Sequence, residues 1–223
     1  MIPEAFETGF LPAQEPLAHL WRDDFDRSEL DFCWNFLRNP CPADWSLRER
    51  GGYLRLRGSP VALSDWDAPA FLGRRQDEFQ VRAACLLDFA PFAENEEAGL
   101  SVFMNSYYHY DLAVSMRGGE RCAVVRKSVG DLHQEIVSQP LPPGPVRLSL
   151  DTDGIVYRFY CAAEGSEEVL LATGLARLLC AEMAAPLTGS AIWTGIYLGL
   201  YASGNGQPCR APADFDWFEY GRL

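Results

Sequence analysis

The sequence predicts an all-β fold, with two antiparallel sheets packed face to face as a β-sandwich. Three observations carry that prediction. Apolar and polar residues alternate with a period of two through most of the chain. The alternating runs are short and bounded by Gly, Pro, Asn or Asp. Helical periodicity is confined to one stretch, so nothing is available to cover the faces of a parallel sheet. At 223 residues and 48% hydrophobic composition the chain can bury a full core. All-β sandwiches of this length are commonly one domain.

The elements follow in order. Residues 1–20, MIPEAFETGFLPAQEPLAHL, hold three prolines and several acids with no sustained period, and read as a linker-like arm. The sandwich is expected over 21–223. GYLRLRG (52–58) opens the series of strands. In FQVRAACLLDF (79–89), Phe79, Val81, Ala83, Cys85, Leu87 and Phe89 fall on one face and Gln80, Arg82 and Asp88 on the other. AGLSVFMNS, YYHYDLAVSM, RCAVVRKS, QEIVSQ, VRLSLD, IVYRFYCAA and EVLLATG continue the pattern at short intervals. LARLLCAEMA (175–184) is the helical candidate, closed by Pro186. IYLGLYA and DFDWFEYG complete the strands, and no internal repeat points to a propeller or solenoid.

Nineteen Lys and Arg against 31 Asp and Glu give a formal charge of −12, which repels phosphate backbones and anionic lipid. Nucleic acid and membrane are therefore not expected partners. No apolar run approaches the roughly 18 residues of a membrane span, and MIPEAFETGF has acids where a signal peptide carries Lys or Arg. A cytoplasmic protein is the expectation. Seven cysteines, an odd number without a CxxC pair, sit mostly in apolar runs and read as free thiols. Cys33 and Cys41 flank CWNFLRNPC and are close enough in sequence to approach, but the spare cysteine favours free thiols there too.

The motifs of nucleophilic and zinc catalysis are absent: no GxSxG, no Gly-rich phosphate loop and no HExxH, and His19, His109 and His133 lack metal-ligand spacing. Asp214 and Asp216 in ADFDWFEYG share a strand face, as sandwich glycosidase acids do, but Glu219 falls on the other face and no further acid joins them. Capping a sheet edge or holding a cation is the expected role. DTDG (151–154) reads as a hairpin turn, lacking the later acids of a calcium loop. ENEEAG (94–99) reads as a solvated loop. In SYYHYD, Tyr107, His109 and Asp111 share one face and Tyr108 and Tyr110 the other; the polar set is expected to be accessible.

RDDFDRSELDFCWNFLRNP, AFLGRRQDEF, AGLSVFMNSYYHYDLAV, WTGIYLGLYASGNG and ADFDWFEYG, in that order from residue 21 to 220, resemble the C-terminal concanavalin A-like β-sandwich of glycoside hydrolase family 43 β-xylosidases. The resemblance implies a concanavalin A-like jelly roll. It also implies that the catalytic acids lie in a separate five-bladed propeller, with LPAQEPLAHLWRDDF resembling the interdomain connector. The chain is then a non-catalytic accessory sandwich, packing on a propeller in cis or trans and helping to shape its sugar pocket. In the family an aromatic residue before a TG pair walls off the sugar subsite, and Trp193 stands at that position where Phe is usual; capping the sandwich core is the alternative role for its ring. A different reading is an independent carbohydrate-binding module, with Trp193, Tyr107, His109 and Asp111 contacting xylo- or arabino-saccharides. A glycosidase using its own sandwich carboxylates is the least favoured. Arg74 and Arg75 match the family pattern without a catalytic role, and read as arginines paired with carboxylates. Lectin-like sandwiches often hold a structural calcium between first and last strands, which nominates Asp24 and Asp216. A homo-oligomer is a further expected assembly.

Overall fold

The computed structural model describes residues 20–188 and 195–223. Two antiparallel sheets face each other, the expected sandwich. The first runs β13 (Val169–Leu175), β12 (Val156–Ala163), β11 (Val146–Thr152), β6 (Val81–Asp88), β15 (Pro212–Arg222), β4 (Leu54–Arg57) and β3 (Trp45–Ser46), with β1 (Leu20–Asp23) also paired to β15. The second runs β10 (Leu132–Pro140), β9 (Glu120–Val129), β8 (Tyr108–Arg117), β7 (Glu97–Asn105), β14 (Tyr197–Ser203), β5 (Ala70–Arg75) and β2 (Trp34–Phe36).

The alternation seen in the sequence places the core between the sheets. Val81, Ala83, Cys85 and Leu87 of β6 and Phe215, Phe218 and Tyr220 of β15 meet Leu100 and Val102 of β7, Tyr110 and Leu112 of β8 and Leu198 and Leu200 of β14. A smaller apolar cluster lies on the outer face of the second sheet, where Leu63 from the β4–β5 connection packs with Phe71, Phe103, Val124 and Tyr201. The Phe71 ring fills the space over Gly199, where a Cβ would come within 2.2 Å of Cζ. Trp21, Trp34 and Phe218 meet edge to face with centroids 5.0 to 6.2 Å apart, tying β1 and β2 to the end of the chain.

ENEEAG is not a solvated loop, since Glu96 and Glu97 are buried and β7 starts at Glu97. Three further expectations need correction. The helix does not begin at Leu175, which pairs with Val156 at the end of β13; a 3-10 turn over Ala176–Leu179 buries Leu179, and α1 covers Ala181–Thr188. Pro186 therefore falls within α1, where it removes one N–H donor, and the helix ends two residues later. Phe79 does not share the inward face of β6, because the strand starts at Val81 and the parity does not extend back past its end. Third, β15 carries a bulge between Phe215 and Trp217. It flips the parity at Asp216, so that Glu219 joins Asp214 and Trp217 on the outer face. The DTDG stretch is the expected turn, linking β11 to β12 with Asp153 Oδ1 accepting from the backbone N–H groups of Ile155 and Val156 at 2.9 Å.

Candidate functional site

One end of the sandwich collects the exit of β5, the entry of β6, the β11–β12 turn, the 3-10 turn before α1 and the approach to β14 around a cavity of about 460 Å³. Hydrogen bonds fix its frame. The Tyr157 phenol donates to Gln76 Oε1 at 2.7 Å, the Gln76 N–H to the Ile196 carbonyl at 2.9 Å, and the Ala176 N–H to the Ile155 carbonyl at 2.9 Å. On this frame Phe79 stands 81% exposed and Ile155 71% exposed, with Leu175 and Met183 also exposed. Phe79 Cβ lies 3.5 Å from where a Cβ on Gly154 would stand, so the ring borders the β11–β12 turn. Beside it, Arg75 donates to the Tyr197 phenol at 2.7 Å and lies over the same ring at 4.7 Å. Arg74 stacks on Tyr220 and Trp21 at 4.3 and 4.7 Å and reaches Asp77 at 3.4 Å, so aromatic faces rather than a carboxylate are its main partners. Residues 189–194, Trp193 among them, lie outside the described residues.

His109 and Asp111 do point away from the main core, as their parity requires, but the expectation that they are accessible fails: each is 4% exposed. Asp111 accepts from His109 Nδ1 at 2.8 Å and from Ser101 Oγ at 2.7 Å. Burial pushes its carboxyl up, but the charges and hydrogen bonds of His109, with Arg126 and Ser101, hold it below the ordinary range. Arg126 pairs with Glu97 in the same layer, and the Tyr201 phenol donates to Glu97 Oε1 at 3.3 Å. The burial of that phenol drives its ionisation far upward. Within this layer His109 Nε2 is buried without a hydrogen-bond partner among the described residues, and Glu97 Oε2 is held only by its ion pair to Arg126. Tyr107 is not in the strand; it occupies the turn before β8, half-buried, with Trp66 edge-on at 6.0 Å.

The calcium expectation requires β1 and β15 to be neighbours, and they pair from Leu20 with Gly221 to Asp23 with Phe218. Asp24 and Asp216 nevertheless do not fit a calcium ion. Arg22 Nε donates to Asp24 Oδ1 at 2.7 Å, and among the described residues no group of three or more His, Cys, Asp or Glu is placed to hold a metal. Calcium takes about six to eight oxygens. Asp214 sits beneath a different partner set: Arg55 Nε at 2.6 Å, Arg55 Nη2 at 2.8 Å and Arg50 Nη1 at 2.8 Å. Burial raises its carboxyl, and those hydrogen bonds overcome the effect to leave it below the usual range. Asp216, at the bulge, is raised by burial and by the charges of Asp24 and Asp26, against Arg22 and Arg50.

A family model for the β-xylosidase C-terminal concanavalin A-like domain matches residues 22–221. The chain belongs to that family. It is 39% identical over 209 residues to a non-reducing end α-L-arabinofuranosidase of Bacteroides ovatus, covering 91% of this chain and 38% of that protein. It is 31% identical over 209 residues to a putative β-xylosidase of Escherichia coli, covering 90% of this chain and 38% of that one. Among solved structures, the Bacteroides ovatus xyloglucan PUL GH43B superposes with a TM-score of 0.86 at 38% identity, over 96% of this chain and 41% of that one. The xylan β-1,4-xylosidase of Bacillus halodurans gives 0.84 at 26%, over 99% and 41%. The β-xylosidase C-terminal domain thus spans about two fifths of the relatives it matches. Among the exposed rings of this domain that the sequence did not single out are Phe79 and Trp66. Phe79 was hidden by parity, whereas SDWDAP, an aromatic residue between two acids in a Pro-bounded loop, was a readable signal.

Proposed function

We propose that this domain is the accessory sandwich of a family 43 glycoside hydrolase, docking on the catalytic propeller that the resemblance implies and helping to close its sugar pocket. The observation that carries the reading is the apolar surface of Phe79 and Ile155, raised on a hydrogen-bonded rim at the end of the sandwich where Gly195 and Ile196 lead into β14. Exposed apolar groups gathered at one place favour a protein partner over bulk water. The relatives' additional length supports a catalytic domain as that partner. The resemblance assigns Trp193 to the wall of the propeller's pocket, with a xylose- or arabinose-containing substrate beyond it.

The test pairs a denaturant melt with a binding titration against a separately expressed catalytic domain from a family 43 relative. Trp193→Ala is expected to keep the stability of the parent and to bind at least about tenfold more weakly, a loss of roughly 1.4 kcal/mol. A stability loss of about 3 to 5 kcal/mol, the cost of emptying a buried Trp site, would instead assign Trp193 to the core and overturn its role in docking.

A further inference from the structure

We infer that Trp66 is the platform of a second, non-catalytic sugar-binding site on the outer side of the seven-stranded sheet, stacking on a pyranose ring of an oligosaccharide. Its ring is 70% exposed, yet the backbone on both sides of it is pinned. The carbonyl of Asp65 accepts from Ser106 Oγ at 3.0 Å, and the carbonyl of Asp67 accepts a short hydrogen bond from Arg38. Arg38 itself holds a left-handed backbone at φ 58°, a conformation unfavourable for a long side chain. The Asp65 carboxylate accepts from the Ala62 N–H at 2.8 Å and that of Asp67 from the Ala68 N–H at 2.7 Å, bracing the loop from within. Tyr107 supports the ring edge-on at 6.0 Å. A large aromatic side chain is thus held out in water by a loop that is rigid on either side of it.

The chemistry around the ring selects the ligand. An aromatic face matches the C–H surface of a pyranose. The flanking carboxylates each keep one oxygen without a partner among the described residues, free to accept from sugar hydroxyls. Covering Asp65 and Asp67 with an apolar protein surface would strand two charges, and the net charge of −12 opposes a nucleic acid. One platform without an enclosing pocket gives weak binding, with Kd on the order of millimolar. This inference does not depend on the docking reading, because Trp66 lies in the β4–β5 connection against the β7–β8 turn and its test uses polysaccharide with no catalytic domain present.

Affinity electrophoresis of the 223-residue chain through gels containing arabinoxylan, xyloglucan or linear xylan tests it directly. Retardation is expected in at least one gel, reduced about tenfold in apparent affinity by Trp66→Ala and partly retained by Trp66→Phe. The melting temperature of Trp66→Ala is expected to match the parent, since its ring is exposed. Asp65→Asn would keep the ring and lose affinity, separating hydroxyl recognition from stacking. An unretarded parent in all three gels, or equal retardation of parent and Trp66→Ala, would overturn the inference. So would a Trp66→Ala variant that keeps its retardation and loses binding to a catalytic domain, which would make Trp66 a docking residue.

Discussion

Asp111 takes hydrogen bonds from His109 and Ser101 beside the Arg126–Glu97 pair, all in a layer that the sequence alone would place in solvent. Removing one carboxylate from such a network leaves its partners buried and unpaired, so Asp111→Ala is expected to cost about 3 to 5 kcal/mol. A denaturant melt within error of the parent would show that the layer is dispensable. The depressed Asp111 and Asp214 carboxyls also fix a direction with pH. Each binds its proton less readily folded than unfolded, so its contribution is present above the unfolded value of about 3.9 and lost as pH falls through the lower folded value. Acid unfolding is expected to steepen below about pH 4, and Asp214→Asn to flatten that limb. These roles were only half legible: parity gave the face of His109 and Asp111, but not Arg126 directly across from Asp111 on the neighbouring β9, nor Tyr201 two strands away on β14.

At the scale of the element, β15 decides how the two nominated acids behave. The bulge puts Asp214 under Arg55 and Arg50 while leaving Asp216 half-buried near Asp24 and Asp26. Asp216 has a raised folded value, so its ionisation opposes folding as pH rises. Asp216→Asn is therefore expected to raise the melting temperature at neutral pH, and Asp214→Asn to lower it. The reverse pair of shifts would contradict the strand geometry. With Arg22 already on Asp24, chelator is expected to leave the melt unchanged, whereas a fall reversed by added calcium would restore a bound ion at β1 and β15. Alternation in DFDWFEYG revealed the strand but not the inserted residue, because a bulge changes parity without changing composition. Phe79 was assigned to a face that β6 does not reach for a different reason: the alternation runs two residues past the start of the strand at Val81.

Across the whole molecule, sandwich, sheet strands and family were legible because period-two runs and ordered motifs are local signals. The end around Phe79 and Ile155 was not, since it assembles turns from β5, β6, β12 and β14 that lie far apart in sequence. Of the two acids in ADFDWFEYG, Asp214 is held low by Arg55 and Arg50 while Asp216 is raised, as a glycosidase acid must be, so an activity assay decides between a working acid pair and an inactive strand end. Purified chain is expected to leave aryl xylosides and arabinosides at background rate, and turnover abolished by Asp216→Asn would refute this. The central claim, docking through the Phe79 and Ile155 end, is tested most directly by hydrogen exchange of the chain with and without a family 43 catalytic domain. The account predicts slowed exchange at residues 76–80, 153–157, 176–183 and 195–197, lost in the Phe79→Asp variant. Protection confined to the outer face of the eight-stranded sheet, or no protection at saturating partner, would contradict it.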